Sequence, residues 1–68
     1  MITYDKLWQS IKEKGLKKQD LVDKYGFSKG MMDNLKHNRS ITTYTLNEIC
    51  EKLELSPDQI ITYTREKK

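Results

Sequence analysis

The side chains best suited to binding chemistry are concentrated between Tyr25 and Ser40, in the stretch YGFSKGMMDNLKHNRS. Lys29, Asn34 and Arg39 are spaced through this stretch and carry hydrogen-bond donors on long or planar side chains. An asparagine amide can bond two atoms of an adenine edge, whereas lysine and arginine can bond a guanine or a phosphate. These residue types favour recognition of a charged, hydrogen-bonding partner.

The composition argues against catalysis and against metal binding. Cys50 is the only cysteine and His37 the only histidine in the chain, so a zinc site would lack ligands. A nucleophile needs a base beside it, and His37 is predicted to lie on the opposite face of the bundle from Cys50. The carboxylates fall in Glu/Lys patterns typical of solvated helix faces, and no glycine-rich phosphate loop occurs. We expect no enzymatic activity, no metal and no cofactor.

Length and charge set further bounds. The chain has 68 residues, of which 13 are basic and 10 acidic, and its net charge is +3. This length predicts one domain, residues 1–68, that hides about 60% of the surface of the open chain. No apolar run approaches the roughly 18 residues of a membrane span, and the N-terminus lacks the layout of a signal peptide. We expect a cytoplasmic protein whose mild charge permits a polyanionic partner without requiring one.

Apolar residues recur at three- or four-residue spacing almost throughout, which predicts helices. Thr3 is a candidate cap for the first helix and Ser28 for the third, while Gly15 and Asn38 suit helix ends. Ser56 begins a start signal, SPDQ, for a short fifth helix. The prediction is an all-α, compact five-helix bundle with helices at about 4–14, 18–25, 28–37, 43–53 and 57–61.

The two ends of the chain differ from this pattern. Residues 1–4 and 60–64 are rich in β-branched and aromatic side chains. We expect them to pair as a short β-ribbon, either within a monomer or across a dimer. Residues 64–68 are expected to be a frayed basic tail.

Residues 18–37 fit a helix-turn-helix unit, whose second helix enters the major groove of DNA. Gly26 lies at the turn, Phe27 fills the corner, and Leu21, Met32 and Leu35 point inward. Residues 15–61, including LNEICEKLELSPDQII at 46–61, resemble the Cro/C1-type helix-turn-helix (XRE-type) family. The resemblance implies a lambda-repressor-like domain that binds double-stranded operator DNA, usually as a dimer, and regulates transcription as a repressor. It also implies that the third helix reads the major groove and that the second helix starts against phosphates.

Candidate DNA-contacting residues follow from this placement. The base-reading candidates on the third helix are Lys29, Gly30, Asp33 and Asn34. The phosphate-binding candidates are Lys17, Lys18, Gln19, Ser28, His37, Asn38 and Arg39.

Several of these side chains have a second interpretation. Lys29 and Arg39 also suit a merely solvated surface, and Gly30 either allows close approach to DNA or has no role. Asp33 either accepts a hydrogen bond from a cytosine amino group or pairs with Lys29 or Lys36, and we favour pairing. His37 either caps terminal carbonyls or binds a phosphate.

A protein–protein interaction module, such as an antitoxin-like partner protein, is the alternative function. The position of the charges favours DNA, because the basic residues cluster at the second helix, the third helix and the loop after it. Glu48, Glu51 and Glu54 lie instead on or beside the fourth helix. A homodimer is expected, with Ile60, Ile61 and Tyr63 at its interface because they exceed what a small core requires.

Overall fold

Four α-helices and one two-stranded sheet make up the computed structural model, which describes residues 1–65. In chain order the elements are β1 (Ile2–Thr3), α1 (Asp5–Glu13), α2 (Lys18–Asp23), α3 (Lys29–Lys36), α4 (Thr43–Leu53), a 3-10 turn (Pro57–Gln59) and β2 (Thr62–Tyr63). The fold is therefore mostly helical, as predicted, with a small sheet.

The prediction of a fifth α-helix is wrong, since Pro57–Gln59 form a single 3-10 turn. The local start signal does operate, because the Ser56 N–H donates to Gln59 Oε1 at 2.9 Å. The helix cannot extend because Ile60 is fully buried in the core and Thr62–Tyr63 pair with β1. The local sequence thus determines where this helical turn begins, and tertiary structure determines where it ends.

Thr3 does not cap α1, contrary to expectation. Tyr4 is the N-cap residue and makes no side-chain capping bond, whereas Thr3 Oγ1 donates to Asp5 Oδ2 at 3.2 Å. Thr3 belongs to β1, so its backbone is committed to the ribbon before the helix begins. Ser28 caps α3 as expected, because its hydroxyl oxygen accepts from the Met31 N–H at 3.1 Å.

The ribbon forms within the monomer. β1 and β2 are antiparallel, with Ile2 opposite Tyr63 and Thr3 opposite Thr62. Thr64 continues the pairing, since its N–H donates to the Met1 carbonyl at 2.8 Å and its own carbonyl accepts from the Met1 ammonium at 2.7 Å. The frayed tail is therefore wrong at Thr64, and residues 66–68 lie outside the described part of the chain.

A single apolar core lies between the helices and beneath the ribbon. Its buried members are Tyr4, Leu7, Ile11, Leu21, Phe27, Met32, Leu35, Ile49, Leu53, Leu55 and Ile60. Trp8 and Cys50 are only half-buried and pack against this core. The core draws on every α-helix, so α2 and α3 are held by the whole domain.

Candidate nucleic-acid interface

A tight turn fixes α3 relative to α2. Gly26 has a φ of +72°, a left-handed conformation that glycine adopts without steric cost. The Gly26 N–H donates to the Val22 carbonyl at 3.1 Å, and the Phe27 N–H donates to the Leu21 carbonyl at 3.0 Å. Phe27 is buried immediately after this turn. The chain therefore leaves α2 in one defined direction, and α3 begins two residues later.

The buried side of α3 determines which side chains it exposes. Met32 and Leu35 are buried, and successive residues turn by about 100° around the helix. Gly30, Asp33 and His37 therefore lie on the face opposite the core, and all three are exposed. An α-helix with its side chains is about 10–12 Å in diameter, so α3 can enter a DNA major groove, which is about 12 Å wide.

A groove of about 650 Å³ runs between the start of α2 and α3. The residues that line it are Lys17, Lys18, Gln19, Val22, Lys29, Met32, Asp33 and Lys36. Four lysines and one acidic residue make its rim strongly cationic, and such a cleft attracts anions. Sequence reasoning did not include Lys36 among the DNA-contacting candidates. Its position two turns after Lys29 was a signal that both lysines lie on the same face of α3.

Asp33 forms an ion pair with Arg39, whereas the predicted partners Lys29 and Lys36 are wrong. Arg39 Nη1 donates to Asp33 Oδ2 at 2.7 Å, and His37 Nε2 lies 3.3 Å from Asp33 Oδ1. His37 is one turn further along α3 and so lies on the same face. Two candidate phosphate ligands, His37 and Arg39, are thus gathered around one carboxylate.

The end of α3 explains how Arg39 reaches Asp33. Asn38 has a φ of +55°, the left-handed conformation expected of it. The Asn38 N–H donates to the Leu35 carbonyl at 3.4 Å and the Arg39 N–H donates to the Asn34 carbonyl at 2.8 Å. This pair of bonds reverses the chain at the helix end. The Arg39 side chain is consequently folded back over α3.

Tyr4 anchors the same loop through two hydrogen bonds, and sequence reasoning missed this role. Its hydroxyl donates to the Arg39 carbonyl at 2.6 Å, and its N–H donates to Asn38 Oδ1 at 3.1 Å. Burial raises the pKa of the Tyr4 phenol above its usual value of 10.0, with a smaller opposing effect from a hydrogen bond with the Ile41 backbone. A tyrosine on an apolar stripe gave no signal of a partner 35 positions away.

The remaining candidates at α2 and α3 are partly engaged within the domain. Lys18 Nζ lies 4.6 Å from the centroid of the Trp8 ring, a cation–π arrangement. Gln19 Nε2 donates to Asp23 Oδ1 at 3.1 Å. Lys17 and Lys29 are exposed, whereas Asn34 is half-buried beside the exposed face of α3. These positions bring the α2 and α3 candidates to one side of the domain.

The expected dimer residues do not share one environment. Ile60 is fully buried in its own core, so it is not surplus to that core. Ile61 is half-buried, and Tyr63 is 68% exposed. Sequence reasoning missed that Met1, Ile2 and Tyr44 are also exposed. A mainly apolar groove of about 500 Å³ lies at this end, lined by Met1, Ile2, Tyr4, Asn38, Ser40, Ile41, Thr42, Thr43, Leu46 and Ile61.

Other kinds of site are not found in residues 1–65. No three His, Cys, Asp or Glu side chains of this part come together as a metal-binding group. None of its helices has the length and apolar character required to cross a bilayer.

Comparison with known proteins agrees with the helix-turn-helix geometry. Searches of curated proteins and of solved structures gave no significant match. Residues 6–66 match a family model described as a Cro/C1-type HTH DNA-binding domain. This match contains α1 to α4 and the turn at Gly26, and it confirms the resemblance inferred from the residues. The chain therefore belongs to the Cro/C1-type helix-turn-helix DNA-binding domain family.

Proposed function

We propose that this protein is a sequence-specific, double-stranded DNA-binding transcriptional regulator that acts as a repressor and places α3 in the major groove. The observation that carries the proposal is the cationic groove beside α3, where Lys17, Lys18, Lys29 and Lys36 surround one opening. Neutralising phosphates with lysine releases counterions, which supplies sequence-independent affinity. The exposed polar face of α3 supplies groups that distinguish bases.

In this proposal, one set of residues provides affinity for the DNA backbone and another set distinguishes the bases. Lys17, Lys18, Gln19 and Ser28 surround the starts of α2 and α3, which places them beside the phosphate backbone when α3 lies in the groove. Lys29, Gly30, Asp33 and Asn34 lie on or beside the exposed face of α3 and are the proposed base-reading positions. His37, Asn38 and Arg39 form the far edge of the interface. Occupation of an operator by this face would exclude other proteins from the same DNA, which is the proposed basis of repression.

A homodimer is the proposed binding form, because one domain covers only about half a turn of the major groove. The exposed apolar side chains of Met1, Ile2, Tyr44 and Tyr63 provide a surface suited to a protein partner. A two-fold dimer would place two recognition helices about 34 Å apart on an inverted repeat. Sedimentation of the free and DNA-bound protein tests this form. A 1:1 complex on a site without symmetry would contradict it.

Selection of bound sequences from a random duplex pool tests the function directly. We expect enrichment of one motif, and a linear fall of log affinity with log salt concentration. Lys6→Ala is a matched control for changes at Lys17 or Lys18, because Lys6 lies near Asp58 at the 3-10 turn and not at the α2–α3 groove. The control should leave the salt slope unchanged.

The alternative function, a protein-binding module such as an antitoxin-like partner, is favoured by one observation. Two tyrosines are exposed, Tyr63 (68%) on the ribbon and Tyr44 (77%) on α4. A pool selection that enriches no sequence, together with binding to random duplex that is no tighter than that of a small basic peptide, would support this alternative over DNA recognition.

A further inference from the structure

We propose that Asp33 and Arg39 form one base-reading unit, in which Asp33 positions the Arg39 guanidinium to read a guanine. This inference rests on the proposed DNA-binding function and replaces the assignment of Arg39 as a phosphate ligand. It follows from three features of the described residues: the anchoring of Arg39, the free donors of its guanidinium, and the position of Asp33 on α3.

Arg39 is held at three points. Its N–H donates to the Asn34 carbonyl at 2.8 Å, and its carbonyl accepts from the Tyr4 hydroxyl at 2.6 Å. Its guanidinium is fixed by Asp33 at 2.7 Å. A phosphate ligand in a loop needs no such anchoring, since phosphates accept contacts from many directions. A group that must meet the edge of one base benefits from a fixed position.

The contact with Asp33 leaves most of the guanidinium free. Arginine has five N–H donors in a planar fork, and the bond to Asp33 uses Nη1 alone. The remaining donors can make the two parallel bonds to O6 and N7 of guanine that constitute the commonest specific contact in the major groove. Because Asp33 lies on the face of α3 opposite the core, a guanidinium bonded to it lies over that face as well.

The pairing also removes the difficulty of an acidic residue on a DNA-facing helix. A free carboxylate there would repel phosphates, whereas Asp33 has a cation on one oxygen and His37 at 3.3 Å from the other. The side chains of Asp33 and Arg39 are 52% and 58% exposed. Exposed ion pairs contribute little to folding stability, so the variants should fold.

The experiment measures binding of Arg39→Ala, Arg39→Lys, Asp33→Asn and the Asp33→Asn/Arg39→Ala double variant at one salt concentration. The probes are the selected site, the same site with each base pair changed in turn, and a random duplex. Arg39→Ala should lose about tenfold in affinity for the selected site and lose preference at one G·C pair. Asp33→Asn keeps one acceptor oxygen but loses the charge that strengthens the bond to the guanidinium, so it should weaken the preference at the same pair. It should bind random duplex more tightly, because a negative charge is removed.

The double variant should discriminate no worse at that pair than either single variant, since the two residues act as a unit. Arg39→Lys keeps the charge but lacks the planar fork, so it should not restore the preference. Glu51→Gln is the matched control, because it makes the same charge change on α4 and its acceptor role toward Asn47 is retained. It should leave the preference intact.

Three results would overturn the proposal. Equal weakening on selected and random DNA by Arg39→Ala, with recovery in Arg39→Lys, would make Arg39 a phosphate ligand. Retained preference in Asp33→Asn would show that Asp33 does not position the arginine. If the unmodified protein selects no sequence, the proposed function itself fails, which is distinguishable because the first two results require a selected site.

Discussion

The α2–α3 face and the ribbon end of this domain have opposite surface chemistry. Around α2 and α3 the exposed side chains are lysines and hydrogen-bonding groups, and the apolar ones turn into the core. At the ribbon, Ile2 and Tyr63 are more than half exposed. A cationic polar surface suits a polyanion, whereas an exposed apolar surface suits a protein. Tyr4 connects the two, since it follows β1 directly and bonds the loop after α3.

The core should support both faces equally, and its disruption should give the largest effect. Leu21 is fully buried in α2, so Leu21→Ala should lower the free energy of unfolding by about 2–5 kcal/mol. Urea unfolding followed by circular dichroism measures the loss. Cys50→Ala is the control, because Cys50 is half-buried and small, and it should be milder and keep DNA binding. A stable Leu21→Ala protein would contradict the assigned core.

Removing the link between the faces should have a moderate effect. Tyr4→Phe loses the hydroxyl bond to the Arg39 carbonyl, which should cost about 1 kcal/mol of stability. It should also reduce discrimination at the base pair that Arg39 is proposed to read, since the loop loses an anchor. Tyr25→Phe, at a tyrosine that lines neither groove, serves as the control for both measurements. Unchanged stability and discrimination in Tyr4→Phe would show that the faces are independent.

Tyr4 should also make the stability of the domain fall at alkaline pH. Burial raises the pKa of folded Tyr4 above 10.0, so between the unfolded and folded pKa values the folded protein binds more protons. Stability is then fully present below about pH 10 and falls as the pH rises toward the folded pKa. Thermal unfolding measured between about pH 8 and 11, on either side of the ordinary tyrosine pKa, should show this decline. Tyr4→Phe should decline less steeply.

A change at Lys18 tests the α2–α3 face alone. Lys18→Ala should reduce the slope of log affinity against log salt by about one unit and weaken binding to all duplexes alike. Because Lys18 lies 4.6 Å from the ring of Trp8, the single tryptophan, DNA binding should change tryptophan fluorescence in the unmodified protein. The change should be smaller in the variant. An unaltered salt slope would remove Lys18 from the interface.

The smallest effect should come from a site outside both faces. Glu54 has a φ of +55° at the end of α4, where a non-glycine residue is strained. Glu54→Gly should therefore stabilise the domain by about 0.5 kcal/mol after the entropy cost of glycine. Neither DNA binding nor self-association should change. Thermal unfolding measures the gain, and a loss of stability would mean that the Glu54 side chain makes a compensating contact.

Local sequence patterns predicted the structural features that depend on residues close together in the chain. The inward positions of Met32 and Leu35, the cap at Ser28 and the left-handed Asn38 follow from spacing and backbone preference, and the structure contains each. The ribbon also followed from the β-branched and aromatic side chains at the two ends of the chain.

Partners distant in sequence could not be predicted in this way. The hydroxyl bond of Tyr4, the burial of Ile60 and the cation held over Trp8 each depend on where separate helices meet. Asp33 was predicted to pair within α3, but the reversal at Asn38 offered a partner from outside the helix. The 3-10 turn likewise ends early because of its neighbours and not because of its own sequence.

The pairing of Ile2 with Tyr63 has a consequence for the order of folding. Contacts between the two ends of a chain require the largest loop to close, so they form late, whereas the contacts within and between successive helices form early. Hydrogen exchange should accordingly show that the Thr64 amide, bonded to Met1, opens before the amides of α4. Met1 and Ile2 therefore join Ile61 in one apolar groove only at the end of folding, and partly folded chains do not yet present that surface to one another.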